Sequence, residues 1–385
     1  MQNWKMTTIA ECSTLLGDGL HGTPKYDNAG EYAFINGNNL DNGRITIKAE
    51  TKRVGQSEYE KHKKALTERT VLVSINGTLG NVALYNGEKV ILGKSACYFN
   101  VAEHCDVQFM RYVVTSPRFR QYINAVATGT TIKNVSLKQM REYTFPIPNL
   151  TEQKQIARVL YSLDQKISTN RQINDNLQQQ AAALFANFYD RAETEAGFTE
   201  IIQILGGGTP KTGESSYWNG NVPFFTPKDV GLPYTLTTEK TITEEGLAHC
   251  NSRLYPINTV FVTARGTVGK VGLSGVPMAM NQSCYALVGK GTHQLLVYFY
   301  TLKAVDRLKH KASGAVFDAI TTRDFESEII SKLSDIDAKA FLDIAEPIYR
   351  AVLSNSIENL RLAALRDSLL PKLMSGEIDV SDIQL

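Results

Sequence analysis

From Leu150 to Asp190 the chain reads LTEQKQIARVLYSLDQKISTNRQINDNLQQQAAALFANFYD, with neither Gly nor Pro. Positions 156, 160, 163, 167, 170, 174, 177, 181, 184 and 188 are Ile, Leu, Leu, Ile, Asn, Asn, Leu, Ala, Leu and Phe. This alternation of four- and three-residue steps is the 3.5-residue period of a coiled-coil seam, and it predicts one long helix. Asn149 with Glu152 three residues on gives that helix a capping-box start. Moving each seam position on by 185 gives Phe341, Ala345, Ile348, Val352, Asn355, Asn359, Leu362, Arg366, Leu369 and Leu373. A second helix therefore carries the same seam, with both asparagines in the same places. At ~1.5 Å per residue, two helices of roughly 35–40 residues are about 50–60 Å long, too long to bury in small domains. Their natural partners are each other, and Asn170, Asn174, Asn355 and Asn359 are candidates for fixing register. Pro347 falls inside the second pattern, which predicts a kink there or a helix beginning at Glu346.

The segments before each long helix are patterned differently. Short alternating runs (YAFING, RTVLVSI and NVALY; then PFFTP, NTVFVTA and KVGLSG) are punctuated by Gly, Asn and Pro. They predict mixed strands with tight turns, and helices are expected near 107–126 and 295–311. Helical stretches do not alternate regularly with strands, so the fold class is α+β rather than βαβ.

These segments also repeat. HGTPK (21–25) faces GGTPK (207–211), YAFINGNNL (32–40) faces VPFFTPKDV (222–230), and VLVSINGTLGNVAL (71–84) faces VFVTARGTVGKVGL (260–273). Cys97-Tyr98 faces Cys284-Tyr285, and GTTIKNVSLKQM (129–140) faces GAVFDAITTRDF (314–325). The offsets drift only between 185 and 190, as small loop insertions would produce. Five collinear matches describe a tandem duplication whose units are domains in their own right. The expected organisation is a first globular domain over 1–149, a long helix over 150–196, a second globular domain over 197–336, and a second helix with tail over 337–385.

Composition adds limits. A chain of 385 residues exceeds the size at which a single core keeps growing. No apolar run of ~20 residues is present to cross a bilayer, and the N-terminus lacks a signal-peptide pattern. Five scattered cysteines form no C-x-x-C pair, which argues against a disulfide framework or zinc site and for a reducing cytoplasm. The formal net charge of +2 hides a surplus in residues 1–149, with 18 Lys/Arg against 13 Asp/Glu and a cluster KHKK at 61–64. Such a run most often marks a solvated face.

Catalytic motifs are missing. GGGTPKTGES puts Glu214-Ser215 where a phosphate loop needs Lys and then Ser or Thr. GDGLHG (17–22) has no strand–loop–helix context and no counterpart in the second copy. Glu152-x-Lys154 and Asp337-x-Lys339 resemble half a nuclease motif, but they sit on opening turns of helices, where acids favour the helix dipole. No histidine grouping has metal-ligand spacing, and no Pro-Pro tetrapeptide of an adenine methylase occurs.

Binding remains. Each copy places a Gly-Thr-apolar-Gly turn, 77–80 and 266–269, between two strand-like runs. The first is flanked by Asn76 and Asn81, the second by Arg265 and Lys270. Arg and Asn make two-pronged contacts with guanine and adenine edges, whereas Lys serves phosphates. Asn76, Thr78, Arg265, Thr267 and Lys270 are the leading DNA-contact candidates, with Lys25 and Lys211 for phosphates. Asn36, Asn38, Lys133 and Lys228 follow. Thr78 and Thr267 are equally candidates for stabilising their own turns. Different polar residues at matching sites on one scaffold suit two readers of different short sequences.

The layout of globular copy, helix, globular copy, helix resembles the DNA-specificity subunits of type I restriction–modification systems. FPIPNLTEQKQIA (145–157) is similar to that family's domain–helix junction, and LRDSLLPKLMSGEIDV (365–380) to its C-terminal signature. The second domain lacks the Pro-x-Pro junction, entering its helix through IISKLSDIDAKAFLDIAEPIYRAV instead. The resemblance implies a non-catalytic cytoplasmic subunit whose two domains each read half of a split double-stranded DNA target. Its paired helices would hold the domains apart and dock two methyltransferase subunits, with motor-nuclease subunits completing the enzyme. S-adenosylmethionine, ATP and magnesium would belong to those partners, with no cofactor in this chain. The rival reading is a coiled-coil scaffold with duplicated protein- or carbohydrate-binding domains and no DNA affinity.

Overall fold

The computed structural model describes residues 4–231, 233–311 and 319–380. The chain divides into two compact units. One comprises Met1–Lys166 with Leu362–Leu385, and the other is the contiguous stretch Ile167–Arg361. Both division points lie inside long helices, which run Leu150–Asp190 and Asp335–Met374. Each unit therefore holds one globular head and one stretch of each helix.

In the first unit an antiparallel sheet has the order Ser13–Asp18, Ala96–Val101, Thr70–Ser74, Val82–Leu84. A smaller sheet sets Tyr32–Ile35 antiparallel to Arg53–Val54 and parallel to Val90–Leu92. Lys5–Thr8 pairs with Thr144–Ile147, where the head meets the first long helix. The second unit repeats this plan. Ile202–Gly206, Cys284–Gly289, Val260–Thr263 and Val271–Ser274 form the antiparallel series, extended by Tyr234–Thr235 running parallel at the edge. Trp218–Phe225 pairs antiparallel with Lys240–Ile242 and parallel with Ala279–Met280, and Thr194–Gly197 pairs with Ile329–Lys332. The duplication expected from five sequence matches thus extends to strand order and direction. Positions 314–318 of the fifth match lie outside the described residues.

The central strands show why their runs look uniformly apolar. Val71 and Val73 enter one core while Leu72, on the opposite face, enters another. Val260 and Val262 are likewise separated from Phe261. Side chains alternate across a strand, so one covered on both faces loses its polar positions.

The helix expected over 107–126 is broken. Val107–Thr115 ends at Ser116, whose hydroxyl accepts from Phe119 N and caps Pro117–Val126. Its counterpart, Gln294–Lys311, lacks the Ser-Pro step and runs unbroken.

Each long helix starts on a side-chain cap. Asn149 Oδ1 accepts from Glu152 N at 3.0 Å, and Ser334 Oγ accepts from Asp337 N at 3.1 Å. Asn149 and Ser334 are themselves 185 apart, so the start of the second helix keeps the repeat. That start corrects the expected boundary at 337 and the expected start at Glu346, since Pro347 lies twelve residues into the helix. Acidic residues 152 and 337 thus belong to helix caps.

The helices run antiparallel where they meet. In the second unit Asn170 Nδ2 donates to Asn359 Oδ1 (3.0 Å) and Asn355 Nδ2 to Asn174 Oδ1 (2.8 Å). In the first unit Arg366 Nη1 donates to Asp164 Oδ1 at 2.8 Å. Every predicted seam position is buried or half-buried. The helices also complete the cores of the heads. Ile156, Leu160, Leu370 and Leu373 join the first core, and Phe185, Phe341, Ala345 and Tyr349 the second.

Candidate nucleic-acid interface

Both Gly-Thr-apolar-Gly turns are built by the same hydrogen bonds. In the first, Ser74 Oγ donates to Thr78 O (2.5 Å) and accepts from Asn81 N (2.9 Å), while Gly80 N donates to Ser74 O (2.9 Å). In the second, Thr263 Oγ1 donates to Thr267 O (2.5 Å) and accepts from Lys270 N (2.9 Å), while Gly269 N donates to Thr263 O (2.8 Å). The glycines are required by conformation. Gly77, Gly80, Gly266 and Gly269 all have positive φ, in the left-handed region that is costly to L side chains.

This frame leaves different side chains outward. Thr78, Arg265, Thr267 and Lys270 are exposed. The side chains of Arg265 and Lys270 form no hydrogen bond or ion pair among the described residues, so their charges face solvent. Asn76 is half-buried and its Nδ2 donates to Asn134 Oδ1 at 3.1 Å. Thr267 Oγ1 donates to Pro227 O at 3.2 Å, tying the turn to a neighbouring loop.

That loop carries further candidates. Lys228 follows Pro227, is exposed and lies 3.5 Å from Glu239. The matching loop in the first unit holds Asn36 and Asn38. Gly37 O accepts from Asn81 Nδ2 at 3.1 Å, which brings loop and turn together. Asn38 is exposed, whereas Asn36 is half-buried and its Oδ1 accepts from Ser95 Oγ at 2.9 Å. Lys133 is exposed, and its carbonyl accepts from Gly77 N at 3.0 Å. Asn36, Asn38, Asn76, Thr78 and Lys133 therefore sit on one surface of the first head. Lys228, Arg265, Thr267 and Lys270 form the corresponding group on the second.

Lys25 and Lys211 occupy separate loops. Lys25 N donates to Glu58 Oε2 (3.0 Å), and Lys211 O accepts from Trp218 Nε1 (3.1 Å), leaving both side chains exposed. The nearby KHKK cluster is partly neutralised, with Lys61 3.0 Å from Glu58 and Lys63 2.7 Å from Glu60.

Several residues at these turns escape the sequence reading. Ser74 and Thr263 close the turns, yet read there as ordinary strand positions. Exposed Lys309 lies against the second turn, where a Cβ on Gly269 would fall 2.5 Å from its Cε. At the first turn Ile123 and Arg120 take that place. The adjacent helix supplies these, and no motif marks them.

Two of the cysteines lie in a grouping that the sequence does not suggest. Cys12, His104 and Cys105 place their ligand atoms within 4.8 Å of one another, although their spacing suggests nothing. Both thiols are buried and the imidazole is exposed, a donor set suited in kind to a soft divalent cation. Cys97 and Cys284 are buried apart from it; burial pushes the Cys284 thiol up to about 12 and that of Cys97 higher still. Among the described residues no helix is long and apolar enough to cross a membrane.

Residues 1–179 and 197–332 match the family model described as "Type I restriction modification DNA specificity domain". The HindI specificity subunit of Haemophilus influenzae is 23% identical over 355 residues, covering 70% of this chain and 77% of that protein. The MjaIX specificity subunit of Methanocaldococcus jannaschii is 31% identical over 124 residues, 31% of this chain and 29% of that protein. The crystal structure of a type I S subunit from Mycoplasma genitalium superposes with a TM-score of 0.60 at 18% identity, covering 97% of this chain and 96% of that one.

Proposed function

We propose, from the premise that this chain belongs to the type I restriction–modification DNA-specificity family, that its two heads each read one half of an asymmetric, bipartite duplex target. It is a specificity subunit rather than a catalytic one. One observation carries the division into two readers. A single turn frame, held by the same hydrogen bonds, presents Asn76 and Thr78 in one copy and Arg265, Thr267 and Lys270 in the other.

An arginine flanking such a turn suits the O6/N7 edge of guanine, and an asparagine suits the N6/N7 edge of adenine. Lys270, with Lys133, Lys228, Lys25 and Lys211, supplies phosphate contacts that orient the heads without reading sequence. In this reading the antiparallel helices set the separation of the heads and dock two methyltransferase subunits, and motor-nuclease subunits join them in the cytoplasm. S-adenosylmethionine, ATP and magnesium are then held by those subunits.

The test is to express the chain with its cognate methyltransferase subunit and map methylated adenines genome-wide. The expected product is a two-part motif with an unread gap. Arg265→Ala should relax one position in one half by about 1–3 kcal/mol of discrimination and leave the other half unchanged. Lys270→Ala should weaken binding evenly across sequences and flatten its dependence on salt. A motif untouched by Arg265→Ala would remove that residue from the reading surface.

A further inference from the structure

The repeats are alike at the centre of the helix pair and unlike towards its ends. Asn170 pairs with Asn359 and Asn174 with Asn355. Under the 185-residue offset 170 corresponds to 355 and 174 to 359, so either repeat offers the other the same amides.

Position 164 breaks the likeness. Asp164 Oδ1 accepts from Arg366 Nη1 (2.8 Å), and its Oδ2 accepts from both Tyr112 Oη (2.7 Å) and Arg111 Nη2. The carboxylate side chain is 16% exposed, with Arg111 at 11%. Gln108, Tyr112 and Thr115 recur as Gln294, Tyr298 and Thr301, which aligns the two head helices and sets Arg111 against Val297. Asp164 corresponds to Tyr349, and Arg366 to Ala181. The tyrosine is kept at 112 and 298, while its three surroundings change together. In the second unit Tyr349 packs on Tyr298 (ring centroids 5.7 Å), Phe299 (5.7 Å) and Tyr234 (6.4 Å). Val297 and Ala181 are fully buried in the same core. By the antiparallel register Ala181 lies at the level of Tyr349, as Arg366 lies opposite Asp164.

We infer that these positions make the helix interface selective for unlike halves: a first repeat accepts a second repeat and rejects another copy of itself. Two first repeats in this register would set Asp164 of each opposite Ala181, leaving the acid without its second guanidinium. Two second repeats would set Arg366 of each against Tyr349, Tyr298 and Phe299, an aromatic enclosure that offers no counterpart of Asp164 and leaves Arg366 only its own chain neighbour Asp367 as a carboxylate partner. One of each satisfies both ends, because Arg366 meets Asp164 and small Ala181 leaves room for Tyr349. Specificity of this kind comes from what the wrong pairing leaves unmatched. It holds whatever the heads bind, and it ensures that an assembly carries one head of each kind.

The test uses the full chain with a protease site inserted between Ala192 and Glu193. The folded protein is cleaved, unfolded in urea and refolded, and the re-formed pairs are counted by native mass spectrometry. Unlike pairs should outnumber like pairs at least tenfold over random pairing. In the Ala181→Arg protein, which gives first repeats an acid–base match of their own, pairs of two first repeats should appear. Random proportions in the parent protein, or no first-repeat pairs with Ala181→Arg, would overturn the inference. The uncut chain supplies a readout independent of re-pairing. Ala181→Arg should lower its unfolding midpoint, and adding Tyr349→Asp should restore it by rebuilding at 181/349 the match found at 366/164. Absence of that restoration would equally overturn it.

Discussion

One hydroxyl closes each Gly-Thr-apolar-Gly turn, and its removal is a sharp test of the shared frame. Ser74→Ala or Thr263→Ala leaves a carbonyl and an amide unmatched, so each should cost about 1–3 kcal/mol in denaturant unfolding. Asp164 gives a pH signature. Burial alone would raise its pKa, but hydrogen bonds from Arg366 and Tyr112, with the charges of Arg111 and Arg366, outweigh that and hold it below the ordinary 3.8. A depressed carboxylate stabilises the fold above its unfolded pKa and loses that contribution as pH falls through the folded value. The unfolding midpoint should therefore decline in acid below about pH 4, and Asp164→Asn should flatten that limb. The glycines and flanking polar residues of the turns were readable because they recur at a fixed offset. The closing hydroxyls were not, since Ser74 and Thr263 differ in kind and merge with the strand pattern. Asn36 misleads in the opposite way: a polar residue in a loop reads as available, yet Ser95 occupies its carbonyl oxygen.

At the scale of elements, the seam period located both helices and the amides that join them, because a 3.5-residue repeat marks the one face turned to another helix. It missed Ala157, Phe185, Tyr189, Tyr349 and Leu370, which are buried off the seam against the heads. Pro347 read as a kink or as the first turn of a helix starting at Glu346, but the helix begins at Asp335 and continues through it. Phe341, Ala345, Tyr349 and Val352 around it are at most 4% exposed, and this burial offsets the missing hydrogen bond. Two outcomes check the element-level account. Asn174→Leu alone strands the Asn355 amide and should lower stability by about 1–3 kcal/mol, while Asn174→Leu with Asn355→Leu should recover most of the loss. Ser334→Ala should cost about 1 kcal/mol through the helix cap, as should Asn149→Ala. Both are read from denaturant midpoints.

For the molecule as a whole, the duplication set the plan of two heads and two helices, but the sequence suggested four consecutive blocks. The structure interleaves them, since sequence proximity does not report which core a helix face enters. If the helices act as a ruler, removing 171–177 together with the facing 352–358 should preserve pairing and draw the heads ~10 Å closer. At ~3.4 Å per base pair the mapped methylation motif should then lose about three base pairs from its gap; an unchanged gap would rule out the ruler. The interleaving also orders events on the ribosome. The first unit draws Leu370, Leu373 and Val380 into its core, so a nascent chain that has already made its whole N-terminal head still waits for residues 370–380. The second unit, contiguous from Ile167 to Arg361, has all its parts earlier, reversing the usual N-to-C sequence of domain completion during translation. A premature stop shortly after Arg361 would consequently spare the later-made head and harm the earlier-made one.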